Sequence, residues 1–119
     1  MVTSPDRDVL EIAEANGVVT GRVRIPEGAP CFDGHFPGAP LLPGVAQLRL
    51  VADLVADAYA APVSVRSIRR VKFSSPIHPG AVVSFRIEAA PGSSRLAWRL
   101  GDARAEVSSG ELEVTVGSP

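Results

Sequence analysis

His35 is the residue of this chain best suited to acid–base chemistry. Its imidazole titrates near neutral pH, so it can take up a proton and give it back. It stands in a loop, 26–43, whose five prolines exclude regular secondary structure. The loop ends at Pro43-Gly44, a pair typical of helix starts, where free backbone N–H groups can stabilise an oxygen that becomes negative. The segment is therefore compatible with a proton-transfer site beside a helix N-terminus, and a structural or surface role is the alternative for His35 taken alone.

The segment that follows, 44–60, predicts one long helix with a mostly apolar surface. Its charged positions are Arg49, Asp53 and Asp57, which are spaced by four and form one narrow polar stripe. Two residues of this helix have open roles. Arg49 either belongs to the solvated stripe or lines the site, and Gln47 is either a surface amide or a substrate contact. A helix this apolar has to be covered by other elements.

The remaining segments supply that cover as strands. Asn16-Gly17 is a strong hairpin signal between two alternating stretches. Four later stretches alternate or are rich in β-branched residues, and turn residues separate them. The predicted strands are 8–15, 17–25, 64–73, 81–89, 95–101 and 103–116. One curved antiparallel sheet around a single central helix, the α+β architecture called the hot-dog fold, accommodates this order. We expect one domain over 1–119, with a flexible tail at 1–7.

The loop and the helix start resemble the signature of the 3-hydroxyacyl-acyl-carrier-protein dehydratases, H-F-P-G-x-P-x-x-P-G-V. Eight residues of this chain match it: His35, Phe36, Pro37, Gly38, Pro40, Pro43, Gly44 and Val45. The segment LLPGVAQL is most similar to the aryl-polyene-type branch of the family. The segment 72–80 matches the family's Pro-x-x-Pro-Gly turn. The resemblance extends over nearly the whole chain.

The resemblance implies a lyase that removes water from a 3-hydroxyacyl thioester and gives a trans-2-enoyl thioester, as in fatty-acid or polyketide-like biosynthesis. His35 would be the base, and the Gly44 N–H would bind the thioester oxygen. The substrate would be carried on an acyl carrier protein or coenzyme A, with no cofactor and no metal. The expected substrate contacts are Phe36, Pro37, Gly38, Pro43, Val45 and Gln47.

One position departs from the family pattern. The family has Glu or Asp fourteen residues after the histidine, facing the partner subunit's site, and here that position is Arg49. A guanidinium, with a pKa above about 12, cannot supply a proton on demand. Asp53 is the nearest replacement carboxylate, unless it simply pairs with Arg49 across one helical turn.

Three functions therefore stay open. The chain is a dehydratase, a degenerate subunit that binds acyl chains or partners an active paralogue, or an acyl thioesterase. The H-F-P-G motif favours the first two functions over the third. Arg49 favours the degenerate subunit over the active enzyme.

Charge and composition limit the partners. The formal net charge of −1 gives no reason to expect nucleic-acid binding. Charges interrupt the most apolar stretch, so no membrane span is expected, and one cysteine suits the cytoplasm. Open sheet edges predict a homodimer, or a heterodimer or higher assembly of dimers. The basic cluster is either a solvated strand face or a docking patch for an acidic carrier protein, and comprises Arg66, Arg69, Arg70 and Lys72.

Overall fold

The chain folds as one antiparallel sheet that packs against one helix. The computed structural model describes residues 3–4, 7–28, 44–89, 93–103 and 105–117. In this part of the chain the elements are β1 (Thr3–Ser4), β2 (Arg7–Ala15), β3 (Val18–Arg24), α1 (Gly44–Tyr59), β4 (Val63–Phe73), β5 (Val82–Ala89), β6 (Arg95–Gly101) and β7 (Glu106–Val116). The strands lie in the order β1-β2-β3-β5-β6-β7-β4. The predicted fold class and the predicted helix are confirmed.

The turn between β2 and β3 follows from its two residues. Asn16 and Gly17 both have positive φ, 52° and 79°, as the two-residue type I′ hairpin turn requires. Ala15 therefore pairs directly with Val18, and this register holds as far as Glu11 and Arg22, beyond which an irregularity between Val9 and Glu11 shifts it by one residue. The register puts Val19 and Val23 on the inner face of the sheet, where they are fully buried.

The inner face of the sheet and one side of α1 form the core. Alternate residues of β5 and β6 are buried and exposed, the two-residue period of strands with one solvated face. Trp98 is the largest side chain of this core, and its indole N–H donates a 3.3 Å hydrogen bond to Ser108 Oγ. Burying each large apolar side chain contributes about 1.5–3 kcal/mol. These contacts hold α1 across the sheet.

The helix ends in a regular stop signal. Ala60 adopts a left-handed φ of 51°, and the Ala61 N–H donates a 3.2 Å hydrogen bond to the Ala56 carbonyl. This is the Schellman arrangement, in which a left-handed residue ends the helix and free carbonyls find donors. Among the described residues, no helix is long and apolar enough to cross a membrane.

The predicted tail is shorter than expected. Thr3 and Ser4 pair with β2, and Arg7 is the first residue of β2. The Arg7 guanidinium donates three hydrogen bonds to the two oxygens of the Asp57 carboxylate, at 3.2, 3.0 and 3.1 Å. Thr3, Ser4 and Arg7, which were expected in a flexible tail, are thus part of the sheet, and the Arg7 ion pair connects the start of β2 to α1.

Candidate active site

The loop with the predicted base lies outside the described residues. Five predicted site residues belong to it: His35, Phe36, Pro37, Gly38 and Pro43. The side chain of Val45 is also outside the described part. Their roles stay predictions. The site can be described from the start of α1 onward.

The start of α1 packs against the end of β4. A Cβ added at Gly44 would lie 2.8 Å from Cζ of Phe73, so only glycine allows this approach of helix and ring. The first turn carries no acidic side chain, and the first N–H groups of any helix lack partners within it. The positive end of the helix dipole is therefore not compensated by a carboxylate of its own first turn. Free N–H groups and an uncompensated positive helix end are what an anion-binding role for the Gly44 N–H requires.

Gln47 is buried between α1 and the sheet. Only 3% of the residue is exposed, and its Oε1 has no hydrogen-bond partner among the described residues. The expectation of a surface amide is wrong. The sequence did not indicate this burial, because the charged positions of the polar stripe mark only the opposite side of the helix as exposed. The other predicted role of Gln47, substrate contact, stays a prediction.

Arg49 points away from the protein. Its side chain is 83% exposed, and its Nε lies 3.9 Å from Asp53 Oδ2 across one helical turn. The same Asp53 oxygen accepts a 3.4 Å hydrogen bond from Arg7. Asp53 is thus held by two guanidinium groups, the pairing that was the alternative to its role as replacement acid. The predicted place of Arg49 in a partner's site remains a prediction.

The edge strand β4 exposes apolar side chains on its inner face. Val65 and Ile68 pair with Val114 and Leu112, which are both buried on that face. Yet Val65, Ile68 and Phe73 are 40%, 46% and 49% exposed. We call these three residues the β4 apolar row. Exposed apolar side chains beside an open strand edge are features of an interface between subunits.

The basic cluster follows the same strand. All four of its residues are exposed: Arg66, Arg69, Arg70 and Lys72. Arg70 has a left-handed φ of 55° within an irregular stretch of β4, and its Nε lies 3.6 Å from Glu111. Arg69 pairs with Glu111 and Lys72 with Ser109 in the strand register, on the outer face. Exposure is compatible with either role predicted for the cluster.

A cavity of about 650 Å³ lies at the other end of α1. Val55 and Tyr59 line it from the helix, and Leu96 and Val114 from the sheet. Burial raises the pKa of Tyr59 above its ordinary value, and the carboxylate of Glu14 raises it further. A tyrosine is protonated at neutral pH even at its ordinary pKa, so the Tyr59 phenol can donate a hydrogen bond. Of the predicted site residues that the structure describes, none lines this cavity.

Two contributors to the site were missed by sequence reasoning. Phe73 fixes the start of α1 by packing on Gly44, and Ser108 is buried opposite Phe73 in the strand register. A signal for Phe73 exists, because strand alternation puts it on the inner face beside the helix. Ser108 has no such signal, since a serine in an alternating strand is ordinarily assigned to the outer face.

The architecture and the site define the class of protein. The chain has a TM-score of 0.75 and 29% identity to the dehydratase heterocomplex ApeI:P from Xenorhabdus doucetiae, covering 91% of this chain and 92% of that one. The fluoroacetyl-CoA-specific thioesterase FlK shares the fold, with a TM-score of 0.62 at 20% identity over 87% of this chain and 94% of its own. This is a hot-dog protein.

The family follows from the sequence match. The model of the ApeI-like family, described as ApeI dehydratase, matches residues 11–111. The chain belongs to the ApeI-like family of hot-dog dehydratases. The predicted resemblance, including its branch, is confirmed.

Curated relatives match over part of their length. The 3-hydroxyacyl-[acyl-carrier-protein] dehydratase FabZ of Syntrophobacter fumaroxidans is 34% identical over 80 residues, which are 60% of this chain and 53% of that protein. The chain thus spans about half the length of this relative.

Proposed function

We propose that this chain is a subunit of a dehydratase that removes water from a 3-hydroxyacyl thioester and gives a trans-2-enoyl thioester. The family match over residues 11–111 carries the proposal, because it includes the whole signature loop and the helix start. The FabZ relatives, named for 3-hydroxyacyl groups on an acyl carrier protein, support this substrate class.

The chemistry has three requirements. His35 takes the proton from C2, beside the thioester carbonyl, and the Gly44 N–H stabilises the carbonyl oxygen as it becomes negative. The electron pair of the C2–H bond then forms the C2=C3 double bond while the C3–O bond breaks. The departing hydroxyl needs a proton to leave as water.

Arg49 limits the supply of that proton. A guanidinium does not give up a proton at neutral pH, and Asp53 is engaged by two guanidinium groups. The proton then returns from the imidazolium formed on His35, or comes from a carboxylate of a different subunit. Loss of a dedicated acid typically slows such a reaction by about 10²–10⁴-fold.

A second function is favoured by the same residue. A chain with Arg49 in place of the usual carboxylate can serve as the partner of an intact paralogue, whose carboxylate would face His35 here. The similar structure from Xenorhabdus doucetiae is described as a heterocomplex, which supports this candidate.

We also propose that the chain works as a dimer with an acidic carrier protein as substrate. The exposed β4 apolar row and the open edge of β4 support pairing of two subunits. Docking of the carrier by the basic cluster is supported by the exposure of all four cations in a chain of net charge −1.

The test incubates the purified protein with a 3-hydroxyacyl thioester and follows the loss of water by mass. Slow formation of the enoyl thioester that His35→Ala abolishes would support the enzyme. The partner function would be supported if the protein bound the thioester without turnover and turnover appeared when an intact dehydratase subunit was added. Hydrolysis of the thioester, or unchanged turnover in His35→Ala, would contradict the proposal.

A further inference from the structure

Gln47 has a buried oxygen that the fold leaves unpaired. The residue is 3% exposed, and Oε1 has no hydrogen-bond partner within the described ranges. Buried polar atoms are nearly always paired, because an unpaired one loses its hydrogen bond to water without replacement. A leucine or methionine would fill the same volume without that loss. The amide oxygen therefore calls for a hydrogen-bond donor.

The position of Gln47 on α1 indicates where that donor lies. Two residues correspond to about 200° of helical rotation, so Gln47 and the exposed Arg49 lie on nearly opposite sides of α1. Leu50 and Val51, three and four residues on, share the side of Gln47 and are buried in the core. Gln47 thus lies on the core side of α1, and its Oε1 is buried from solvent.

This end of the core also contains the other buried polar side chain of the described residues. Phe73 packs on Gly44, in the same helical turn as Gln47, and pairs with Ser108 in the strand register. Ser108 is fully buried and has its own partner in the indole N–H of Trp98. Within the described ranges, the buried polar side chains of the core thus lie near the start of α1, where the proposed chemistry takes place.

We propose that Gln47 Oε1 accepts a hydrogen bond from the 3-hydroxyl group of the acyl thioester, an inference that rests on the proposed function. The amide is a positioning residue: it orients the C3–O bond and supplies no proton. A 2-enoyl or saturated thioester has no 3-hydroxyl and leaves the oxygen unpaired. Gln47 therefore selects 3-hydroxyacyl chains over chains that lack the hydroxyl.

Binding can be measured without turnover in the His35→Ala background. Two thioesters of equal chain length, one 3-hydroxyacyl and one saturated, are titrated against His35→Ala and against His35→Ala with Gln47→Met. We expect the first protein to bind the 3-hydroxyacyl thioester about 5- to 100-fold more tightly, since the saturated chain leaves the acceptor unpaired. The protein with methionine should bind the two thioesters alike. Thermal unfolding verifies that each variant is folded, and Gln47→Leu replaces Gln47→Met if the latter does not fold.

The outcomes separate this inference from the function on which it rests. Equal binding of both thioesters by the His35→Ala protein overturns the role of Gln47 and leaves the dehydratase proposal standing. A preference that survives Gln47→Met, with only the unfolding temperature changed, shows a structural role and also overturns the inference. Binding of neither thioester contradicts the proposed function and removes the inference with it.

Discussion

The charged residues of α1 differ in what they contact. Asp57 is 11% exposed at its side chain and forms a two-point ion pair with Arg7, whereas Arg49 is 83% exposed. One polar stripe in the sequence thus contains a largely buried ion pair and an exposed cation that contacts Asp53 at 3.9 Å. Spacing by four residues shows that these side chains share one side of the helix, but it gives no indication of what covers each of them.

Asp57→Asn should lower the free energy of unfolding by about 1–3 kcal/mol, because the Arg7 guanidinium, whose side chain is only 13% exposed, then loses a two-point carboxylate contact. Glu11→Gln is the matched control on the same strand, since its pair with Arg22 is more than half exposed on both sides. The control should change stability by less than about 1 kcal/mol. Urea unfolding measures the stability of both variants. Equal losses of unfolding free energy would contradict the claim that the buried ion pair stabilises the fold more than the exposed one.

Gly110 is required by the packing of the core. A Cβ at this position would lie 2.8 Å from Cζ3 of Trp98, which is itself fully buried and cannot move away. Gly110→Ala should therefore destabilise the fold by about 1–3 kcal/mol. Gly28→Ala is the control, because an added Cβ there meets nothing within 4 Å. A Gly110→Ala protein as stable as the control would show that the ring is not fixed as described.

Secondary structure was predictable wherever one face of an element is buried. The helix was expected over 44–60 and is Gly44–Tyr59, and six predicted strands match β2 to β7 within three residues at each end. Periodicity is informative there because burial imposes it. The strand order, the irregular registers of β4 and the attachment of Arg7 depend on contacts between distant segments. Local sequence does not contain that information.

The stop of α1 gives a prediction for stability. Ala60 occupies a left-handed position that disfavours any side chain with a Cβ. Ala60→Gly should therefore raise the free energy of unfolding by about 0.5–1 kcal/mol. Ala58→Gly, inside the helix, should instead lower it by about 1 kcal/mol. Chemical denaturation of both variants is the measurement, and a loss of stability in Ala60→Gly would contradict the described helix end.

The proposed assembly is based on the edge strand β4. Among the described residues no strand pairs with the outer edge of β4, and the β4 apolar row is 40–49% exposed in the single chain. Pairing of two subunits at this edge would cover both. The predicted dimer also explains why half of the site is expected from a partner, since Arg49 points away from its own core.

Ile68→Asp should convert the dimer into a monomer, because a charge in the β4 apolar row cannot be buried without a partner. Ser64→Asp is the control, since Ser64 pairs with Thr115 on the outer face of the same strand. Sedimentation at tens of micromolar protein measures both. A monomeric unaltered protein, or a dimer that persists in Ile68→Asp, would contradict the proposed interface.

The candidate site was predictable only in part. The motif from His35 to Val45 identified the family, because many prolines and glycines at fixed spacing rarely coincide by chance. Burial of Gln47 and the contact between Phe73 and Gly44 were not predictable, since both depend on how α1 lies across the sheet. The proposed role of Arg49 involves a second subunit, whose arrangement the sequence of one chain does not indicate.

The most direct test compares the elimination rate on a 3-hydroxyacyl thioester for the unaltered protein, Arg49→Glu and His35→Ala. Arg99→Glu is the control, with the same change of charge on the outer face of β6. We predict slow turnover by the unaltered protein, a rise of at least about tenfold in Arg49→Glu, no change in Arg99→Glu and no turnover in His35→Ala. The account would be contradicted if the unaltered protein turned over as fast as an intact relative and Arg49→Glu lowered that rate. Arg49 would then assist the reaction, whereas we propose that it impairs it.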